Sequence, residues 1–375
     1  MKVRVRYAAS PTGPYQHVGG ARTALFNYIF ALHSDGEFFI RIEDTDQKRY
    51  DNNAVTDLIS TLVWLGFDWV DGPNANELIK LGVDEIIAHR YGKNSNQSYV
   101  QSNRSDIYFG YAHDLIESGH AYPVFADESI EDNPDIKVQE ARFQQNVYRW
   151  RSASPFMIRK TMATKTPYHI RLRMPREDDY EVCYDYLRGT IKFHQRKLYD
   201  PVILKTPRPE EGIPAIPSYH LAHVVDDHLM NTTHVLRGEE WLSSLPYHNY
   251  LWKCFGWDIP IYCHLPVILN PTGRGKMSKR ETKSGTGEVV PVFVKQYKER
   301  GFLSQALKNF MSLVGWSPGD NKEIMDFDDI IDLFNLNRIS KTGAMWDIRK
   351  LKNMNNHYIR MLGNDEFANL AEDYV

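Results

Sequence analysis

The chain has 375 residues, of which 42% are apolar and 25% are charged, and its formal net charge is −3. That length accommodates two or three domains with cores of their own, and the composition is typical of a globular protein rather than a disordered one. A charge so close to neutral does not by itself indicate a polyanionic partner. No apolar run approaches the roughly 18 to 20 residues of a membrane span, and the N-terminus lacks a signal-peptide core, so we expect a cytoplasmic or organelle-matrix protein.

The first elements predict a strand, a glycine-rich loop and a helix. Lys2 to Tyr7 alternates as a strand does, and Ala21 to His33 carries apolar residues at helical spacing. The loop between them holds residues typical of a phosphate-binding turn: Ser10, Gly13, His17, Gly19 and Gly20. Backbone N–H groups at a helix N-terminus attract anions, and an imidazole can donate to a phosphate oxygen. An ordinary tight turn with a surface histidine is the alternative.

A second strand is predicted from Glu37 to Ile42, followed by an acidic segment that begins at Glu43 and by an amphipathic helix from Ala54. Strands that alternate with helices indicate a parallel α/β sheet. Ligands of such sheets bind beyond the carboxyl ends of the strands, where the glycine-rich loop and Glu43 both fall. The acidic segment alone also fits a helix-capping turn.

A basic region follows in the less regular part of the chain. Between Ala141 and Arg176 there is no acidic residue, and nine arginines and lysines alternate with aromatic residues. That pattern suits a nucleic-acid backbone. A solvated face beside a half-buried strand, His169 to Met174, explains the pattern equally well.

Strand and helix alternation resumes after residue 217. Helices are predicted over Ser218–Met230 and Trp241–Phe255, and strands over Thr233–Arg237 and Ile261–Leu269. A second glycine-flanked loop, Gly273 to Arg280, then contains Lys276 and Lys279, whose ammonium groups could clamp a triphosphate. Lysine-bearing loops are also common solvated turns. From Pro291 onward the pattern predicts a separate helical domain.

Five segments together resemble the glutamyl-tRNA synthetases, which are class I aminoacyl-tRNA synthetases. They occur in that family's order: Arg6–Gly20, Arg41–Asp46, Tyr219–Asp227, Arg237–Trp241 and Lys276–Arg280. The resemblance implies an α/β fold: a Rossmann-type parallel-sheet catalytic domain with an inserted α+β acceptor-binding domain and a C-terminal α-helical stem-contact domain. The corresponding boundaries are residues 1–100 and 206–270 for the two catalytic halves, 101–205 for the insertion, and 271–375 for the KMSKS-type loop and helical domain.

The resemblance also assigns roles to individual residues. The expected catalytic residues are His17, Lys276 and Lys279. The expected ATP-binding residues are Gly13, His17, Gly19, Gly20, Glu240, Lys276, Met277, Ser278 and Lys279. The expected glutamate-binding residues are Arg6, Ala8, Ser10, Glu43, Tyr219, His223 and Arg237. For tRNA, the basic region supplies Arg149, Arg151, Arg159 and Lys160. Asp226 and Asp227 receive no assignment, because a solvated helix face would explain them.

The activity implied is ligation of L-glutamate to tRNA through a glutamyl-adenylate, with ATP and Mg²⁺, in a monomer that does not contact membranes. A guanidinium binds a carboxylate with two parallel hydrogen bonds, so an arginine at position 237 favours glutamate over glutamine. Two other readings stay open. One is a short paralogue that transfers activated glutamate to a modified tRNA base or another acceptor, and the other is an inactive RNA-binding relative.

Three features depart from the family pattern. One extra residue separates Gly13 from His17, which raises the question of whether His17 still reaches the ATP site. Pro123 to Phe125 stands where many relatives carry a zinc-binding cysteine pair, and the three cysteines of the chain form no CxxC motif, so we expect no metal site. Finally, the anticodon-binding domain of the family is expected to be largely absent.

Overall fold

The computed structural model describes residues 2–92, 97–127, 130, 136–208, 210, 212, 214–278, 282–284 and 287–372. Lys279, one of the expected catalytic residues, lies outside the described residues. Among the helices that the structure describes, none has the length and apolarity needed to cross a membrane.

The N-terminal unit is a strand, loop, helix and strand, as the alternating pattern predicted. Strand β1 (Arg4–Ala9) runs parallel to β2 (Glu37–Ile42), and helix α1 (Val18–His33) connects them. Buried apolar residues on β1, α1 and β2 form one core with those of α2 (Asn52–Trp64). The loop between β1 and α1 therefore emerges at the carboxyl end of a buried parallel strand.

A second parallel pair lies beside the first. It consists of β8 (His234–Gly238) and β9 (Ile261–Leu265), with Arg237 opposite His264 in the register. The backbone N–H of Thr233 donates to the carbonyl of Arg4 at 2.9 Å, which joins the two pairs. The molecule is thus a mixed α/β protein with parallel strands, as the sequence predicted.

The region between the two parallel pairs carries short helices and antiparallel strands. Its helices are α3 (Ala75–Lys80), α4 (Glu85–Tyr91), α5 (Ser105–Glu117), α6 (Ile136–Arg151) and α7 (Pro155–Met162). Its strands are β3 (Ala121–Phe125), β4 (Tyr168–Leu172), β5 (Tyr180–Asp185), β6 (Gly189–His194) and β7 (Val202–Leu204). The order β3-β4-β7 forms one antiparallel sheet, and β5 and β6 form a hairpin.

The remaining elements follow in two groups. Helices α8 (Tyr219–Leu229) and α9 (Leu245–Phe255) flank β8. Further along, the described part of the chain contains four two-residue strands: β10 (Ile268–Leu269), β11 (Thr282–Lys283), β12 (Val289–Val290) and β13 (Ala344–Met345). The C-terminal helices are α10 (Val294–Glu299), α11 (Ser304–Leu313), α12 (Phe327–Leu333), α13 (Ile348–Met361) and α14 (Asn364–Glu372).

Two predicted elements were wrong in extent. The predicted helix Trp241–Phe255 begins only at Leu245, because a 3₁₀ turn over Glu239–Ser244 precedes it. The predicted strand Ile261–Leu269 is interrupted at Pro266, since proline lacks the N–H that a strand ladder requires. The carbonyl of Pro266 instead accepts a hydrogen bond from the buried Arg22 of α1.

Candidate active site

His17 caps the N-terminus of helix α1. It has extended backbone angles, and its Nδ1 accepts a hydrogen bond from the N–H of Gly19 at 3.0 Å. Because Nδ1 is the acceptor, the proton of a neutral ring resides on Nε2, which can then donate to a ligand. The 16-residue helix adds the positive end of its dipole at the same point. This end of α1 is therefore suited to an anion.

Gln16 holds the loop that leads into His17. Its side-chain Nε2 donates to the Tyr7 hydroxyl at 2.6 Å, and its backbone N–H donates to Asp57 at 2.6 Å. A Cβ on Gly20 would lie 2.5 Å from Gln16 Nε2 and 2.7 Å from the Tyr7 oxygen. Any larger residue at position 20 would force these two side chains to shift, so this glycine allows the Gln16 side chain to cross to β1.

The two glycine-flanked loops share one cavity of about 410 Å³. Two backbone hydrogen bonds join the first loop to residues 292–294, which follow the second loop along the chain: Val18 N–H donates to Val292 O at 3.0 Å, and Val294 N–H donates to Gln16 O at 3.0 Å. The cavity is lined from the first loop by Ser10, Gly13, Gln16, His17, Gly19 and Gly20, and from the second by Lys276, Met277 and Ser278. The extra residue before His17 thus leaves its imidazole in the same cavity as the second loop.

Lys276 and Glu240 face each other at the edge of this cavity. Lys276 Nζ lies 2.9 Å from Glu240 Oε1, and both side chains are about half exposed. Burial tends to raise the pKa of Glu240, but the hydrogen bonds it accepts from Lys276 and the backbone, together with the charges of Lys276 and Arg22, lower it overall. Met277, by contrast, is buried and its N–H donates to Ile268 O, so its main contribution is to anchor the loop.

Arg237, at the end of β8, is buried with only 5% of its surface exposed. Its Nε donates to His264 Nε2 at 3.0 Å, and its Nη1 contacts the Tyr219 hydroxyl at 3.0 Å and His248 Nδ1 at 3.1 Å. Its Nη2 donates to the carbonyl of Trp241 at 3.3 Å. No carboxylate of the described residues lies within ion-pair distance. A buried guanidinium without a counter-ion is costly, and a bound anion would remove that cost.

The imidazoles around Arg237 are held neutral. Burial lowers the pKa of His264 to about 4, and it lowers the pKa of His248 well below its ordinary value, with nearby positive charge adding to the effect. A neutral imidazole accepts a hydrogen bond through one nitrogen, whereas a protonated one cannot. Both rings therefore act as acceptors that leave the positive charge of Arg237 uncompensated.

Two other buried arginines near the site, Arg6 and Arg41, are paired with acids. Arg6 donates to Asp227 from Nε and Nη2 at 3.0 and 3.2 Å, and Arg41 contacts both Asp227 at 2.7 Å and Glu43 at 2.8 Å. Burial opposes ionisation of Asp227, but Arg6 and Arg41 lower its pKa. Asp226 in turn accepts from Gln101, Arg104 and Tyr108. These contacts fix Arg6 and Glu43 in place.

Tyr219 lies among the predicted glutamate-binding residues. Burial raises its pKa, and the charges of Arg237, Glu43 and Arg6 act on it as well, so all three side chains stand close to one phenol. His223, one helical turn further, is fully buried and contacts the Tyr262 hydroxyl at 3.0 Å and Asp227 at 3.3 Å. It therefore lies behind the pocket wall. Ala8 is half-buried on β1, and Ser10 lines the shared cavity.

Comparison with known protein families identifies the family of this chain. Residues 2–353 match the family model described as tRNA synthetases class I (E and Q), catalytic domain. The chain belongs to this family.

Similar proteins agree with the assignment to the class I synthetases. The glutamate–tRNA ligases of Roseiflexus sp. (strain RS-1) and Finegoldia magna are 40% and 38% identical over the whole chain, which spans 68% and 72% of their lengths. A crystal structure of a glutamate tRNA ligase from Elizabethkingia meningosepticum, in complex with its amino acid, superposes with a TM-score of 0.79. It is 36% identical over 97% of this chain and 71% of its own.

The basic region of this class I synthetase divides into two parts. Arg149, Arg159 and Lys160 are exposed, and Arg149 stacks on the Trp150 ring at 5.3 Å. Arg151 instead forms a largely buried ion pair with Asp200 and donates to the carbonyl of Met174. Its guanidinium is occupied by contacts within the protein, so it is not available to a tRNA phosphate as the exposed cations are.

Several residues of the pocket were missed by sequence reasoning. They are Arg41, Asp185, His248, Tyr262 and His264. Asp227, which pairs with Arg41, lies 186 residues away along the chain, and His248 and His264 lie 11 and 27 residues from Arg237, so no local pattern marks these contacts. Within the described residues, no three His, Cys, Asp or Glu side chains are grouped as a metal site requires.

Proposed function

We propose that this class I synthetase is an ATP-dependent glutamate–tRNA ligase. The observation that carries the proposal is the environment of Arg237. Its guanidinium is buried, its hydrogen-bond acceptors are neutral, and an acidic side chain of the substrate would supply the counter-charge. The relatives' names point to the same substrate. The side-chain carboxylate of glutamate would supply the missing counter-charge, and Glu43 would receive its ammonium group.

The reaction proceeds in two displacements. An oxygen of the glutamate α-carboxylate attacks the α-phosphorus of magnesium–ATP, and the bond to pyrophosphate breaks. The terminal ribose hydroxyl of tRNA then attacks the carbonyl carbon of the adenylate, loses its proton and releases AMP. Positioning and charge stabilisation provide most of the catalysis in such transfers.

The two loops divide the phosphate contacts between them. His17 and the N-terminus of α1 would face the phosphates from the first loop, and Lys276 and Ser278 would face them from the second, because all of these line the same cavity. Lys279 is assigned to the charge that develops on pyrophosphate by the family resemblance alone.

The same proposal assigns tRNA-binding roles to two other parts of the molecule. They are the antiparallel region between the parallel pairs and the helical C-terminal part. Residues 101–205 would hold the acceptor end of tRNA, with the exposed Arg149, Arg159 and Lys160 as phosphate contacts. Residues 271–375 would contact the stem. Exposed cations suit these roles because backbone phosphates are recognised mainly by charge.

Two assays test the function. The first is glutamate-dependent ATP–pyrophosphate exchange, measured with and without tRNA, and the second is charging of total tRNA with labelled glutamate. Exchange and 3′-end charging with glutamate are expected, with glutamine a poor substrate. Exchange without 3′ charging would favour transfer to a different acceptor, and no exchange under either condition would contradict the proposal.

Arg237→Gln provides the matched test of the pocket. Loss of a hydrogen-bonded charge partner is expected to lower kcat/KM for glutamate by about 10- to 100-fold, while the KM for ATP stays the same. An unchanged kcat/KM for glutamate in this variant would show that another residue binds the side chain.

A further inference from the structure

Asp185 and His264 form a buried pair directly behind Arg237. The two side chains are fully buried, and His264 Nδ1 lies 2.7 Å from Asp185 Oδ2. The opposite ring nitrogen, Nε2, accepts from Arg237 Nε at 3.0 Å. A chain of two hydrogen bonds thus links a carboxylate on the β5–β6 hairpin to the guanidinium at the end of β8.

All the acceptor positions of Asp185 are in use. Its Oδ1 accepts from the backbone N–H groups of Leu187 at 3.1 Å and Arg188 at 2.9 Å, and its Oδ2 accepts from the backbone N–H of His264 at 2.9 Å as well as from the ring. The carboxylate therefore cannot turn. Because it accepts from Nδ1, the imidazole proton stays on Nδ1 and the lone pair of Nε2 points at Arg237.

The pair orients Arg237 without neutralising it. Burial would raise the pKa of Asp185, but the contributions of His264 and of the Arg188 backbone N–H together outweigh burial and lower it, so the carboxylate is charged. That charge lies on the far side of a neutral imidazole, and Asp185 forms no ion pair with Arg237. The Nη1 and Nη2 edge of the guanidinium remains turned toward Tyr219 and Trp241, away from His264.

We propose that Asp185 and His264 are positioning residues for glutamate recognition. They fix the rotation of the Arg237 guanidinium, and so set the preference for a carboxylate over an amide in the amino-acid side chain. The inference rests on the proposed function, and it adds a determinant of specificity that lies outside the segments of the family resemblance.

Asp185→Asn is the first test. An amide cannot accept from all four N–H groups, and an NH₂ facing His264 would draw the ring proton to Nε2, opposite the Nε–H of Arg237. We expect the KM for glutamate to rise about 10- to 100-fold in pyrophosphate exchange. The glutamate-to-glutamine ratio of kcat/KM should fall by a similar factor, with the KM for ATP within about twofold of the wild type.

A pair of substitutions at His264 separates positioning from packing. The Oε1 of a glutamine reaches the place of Nε2, so His264→Gln keeps an acceptor for Arg237, whereas His264→Leu removes it. We expect H264Q to recover most of the glutamate specificity that H264L loses. Equal losses in both variants would overturn the proposal, and this comparison holds even where D185N folds poorly.

Glu181→Gln is the matched control. Glu181 lies on the same strand β5, is only 4% exposed, and pairs with Lys253 at 2.5 Å rather than with the pocket. The substitution is expected to lower Tm without changing the KM for glutamate. Wild-type protein without glutamate-dependent exchange would defeat the proposed function itself, whereas active D185N and H264L variants with unchanged glutamate specificity would defeat only this inference.

Discussion

Single arginines in this molecule differ in role because their partners differ. Arg41 and Arg237 are both buried, but Arg41 contacts Asp227 and Glu43, while Arg237 contacts two imidazoles and a phenol. The first is a fixed part of the scaffold, since its charge is satisfied inside the protein. The second keeps its charge available to a ligand. Residue type alone does not separate the two cases.

Asp227→Asn tests the scaffold role at this scale. The variant would leave Arg6 and Arg41 short of one buried negative charge, and removal of one partner from a buried ion pair costs about 3–5 kcal/mol. Urea unfolding should show a loss of that size. Asp258→Asn, an exposed change, serves as the control and should leave the free energy of unfolding within about 0.5 kcal/mol. A small loss in D227N would mean that water or relaxation replaces the ion pairs.

At the scale of elements, the N-terminus of α1 depends on the turn that precedes it. Gln16 binds Tyr7 on β1 and Asp57 on α2, and it thereby places His17 at the cap. The geometry that suits this helix end to an anion therefore depends on three elements together and not on the glycine-rich loop alone.

Gly20→Ala should disturb that arrangement. The added methyl group would collide with the Gln16 amide and the Tyr7 hydroxyl, so the KM for ATP is expected to rise roughly 10-fold, equivalent to about 1.4 kcal/mol. Gly110→Ala is the control, because it lies in helix α5 with nothing within 4 Å of the new Cβ, and it should stabilise the protein by about 0.5–1 kcal/mol. Pyrophosphate exchange at varied ATP measures the first effect. An unchanged KM would show that the loop adjusts.

The elements themselves were largely predictable from the sequence. Periodicity located β2 at Glu37–Ile42, and it located α1 and α8 to within a few residues, because each buries a regular apolar face. Periodicity did not predict the break between β9 and β10, because a single proline, Pro266, interrupts the strand. Candidate pocket residues in recognisable motifs, such as Arg237, could be named from the sequence, and their roles stay predictions. Asp185 and His264 could not be named, since 79 residues separate them and only tertiary folding brings them together.

At the scale of the whole molecule, the C-terminal helices are joined to the parallel strands by charged and backbone contacts. Arg22 of α1 donates to the carbonyls of Val314 and Pro266, and burial lowers its pKa to about 10. Val18 and Val292 pair through their backbones. The same core cluster contains apolar residues from both ends of the chain, so these regions are expected to unfold together.

The exposed cations provide a test at this scale. Replacing both Arg159 and Lys160 with glutamine should raise the KM for tRNA and lower the slope of its salt dependence by about 1 for each phosphate that the variant no longer neutralises. Arg151→Gln should instead lower Tm, because Arg151 is tied to Asp200. Aminoacylation at several salt concentrations distinguishes the variants. Equal salt slopes in the double variant and the wild type would place the tRNA elsewhere.

The acidic and basic side chains that pair in and behind the pocket bear on how the sequence can change between homologues. Arg6, Arg41 and Arg104 meet Glu43, Asp226 and Asp227, so positive and negative charges cancel. A lone substitution would leave an odd charge in the interior, whereas exchanging one base and one acid together would preserve neutrality. Across homologous sequences, a change of charge at one of these positions should therefore occur together with the opposite change at its partner. Few sequences should carry only one of the two changes.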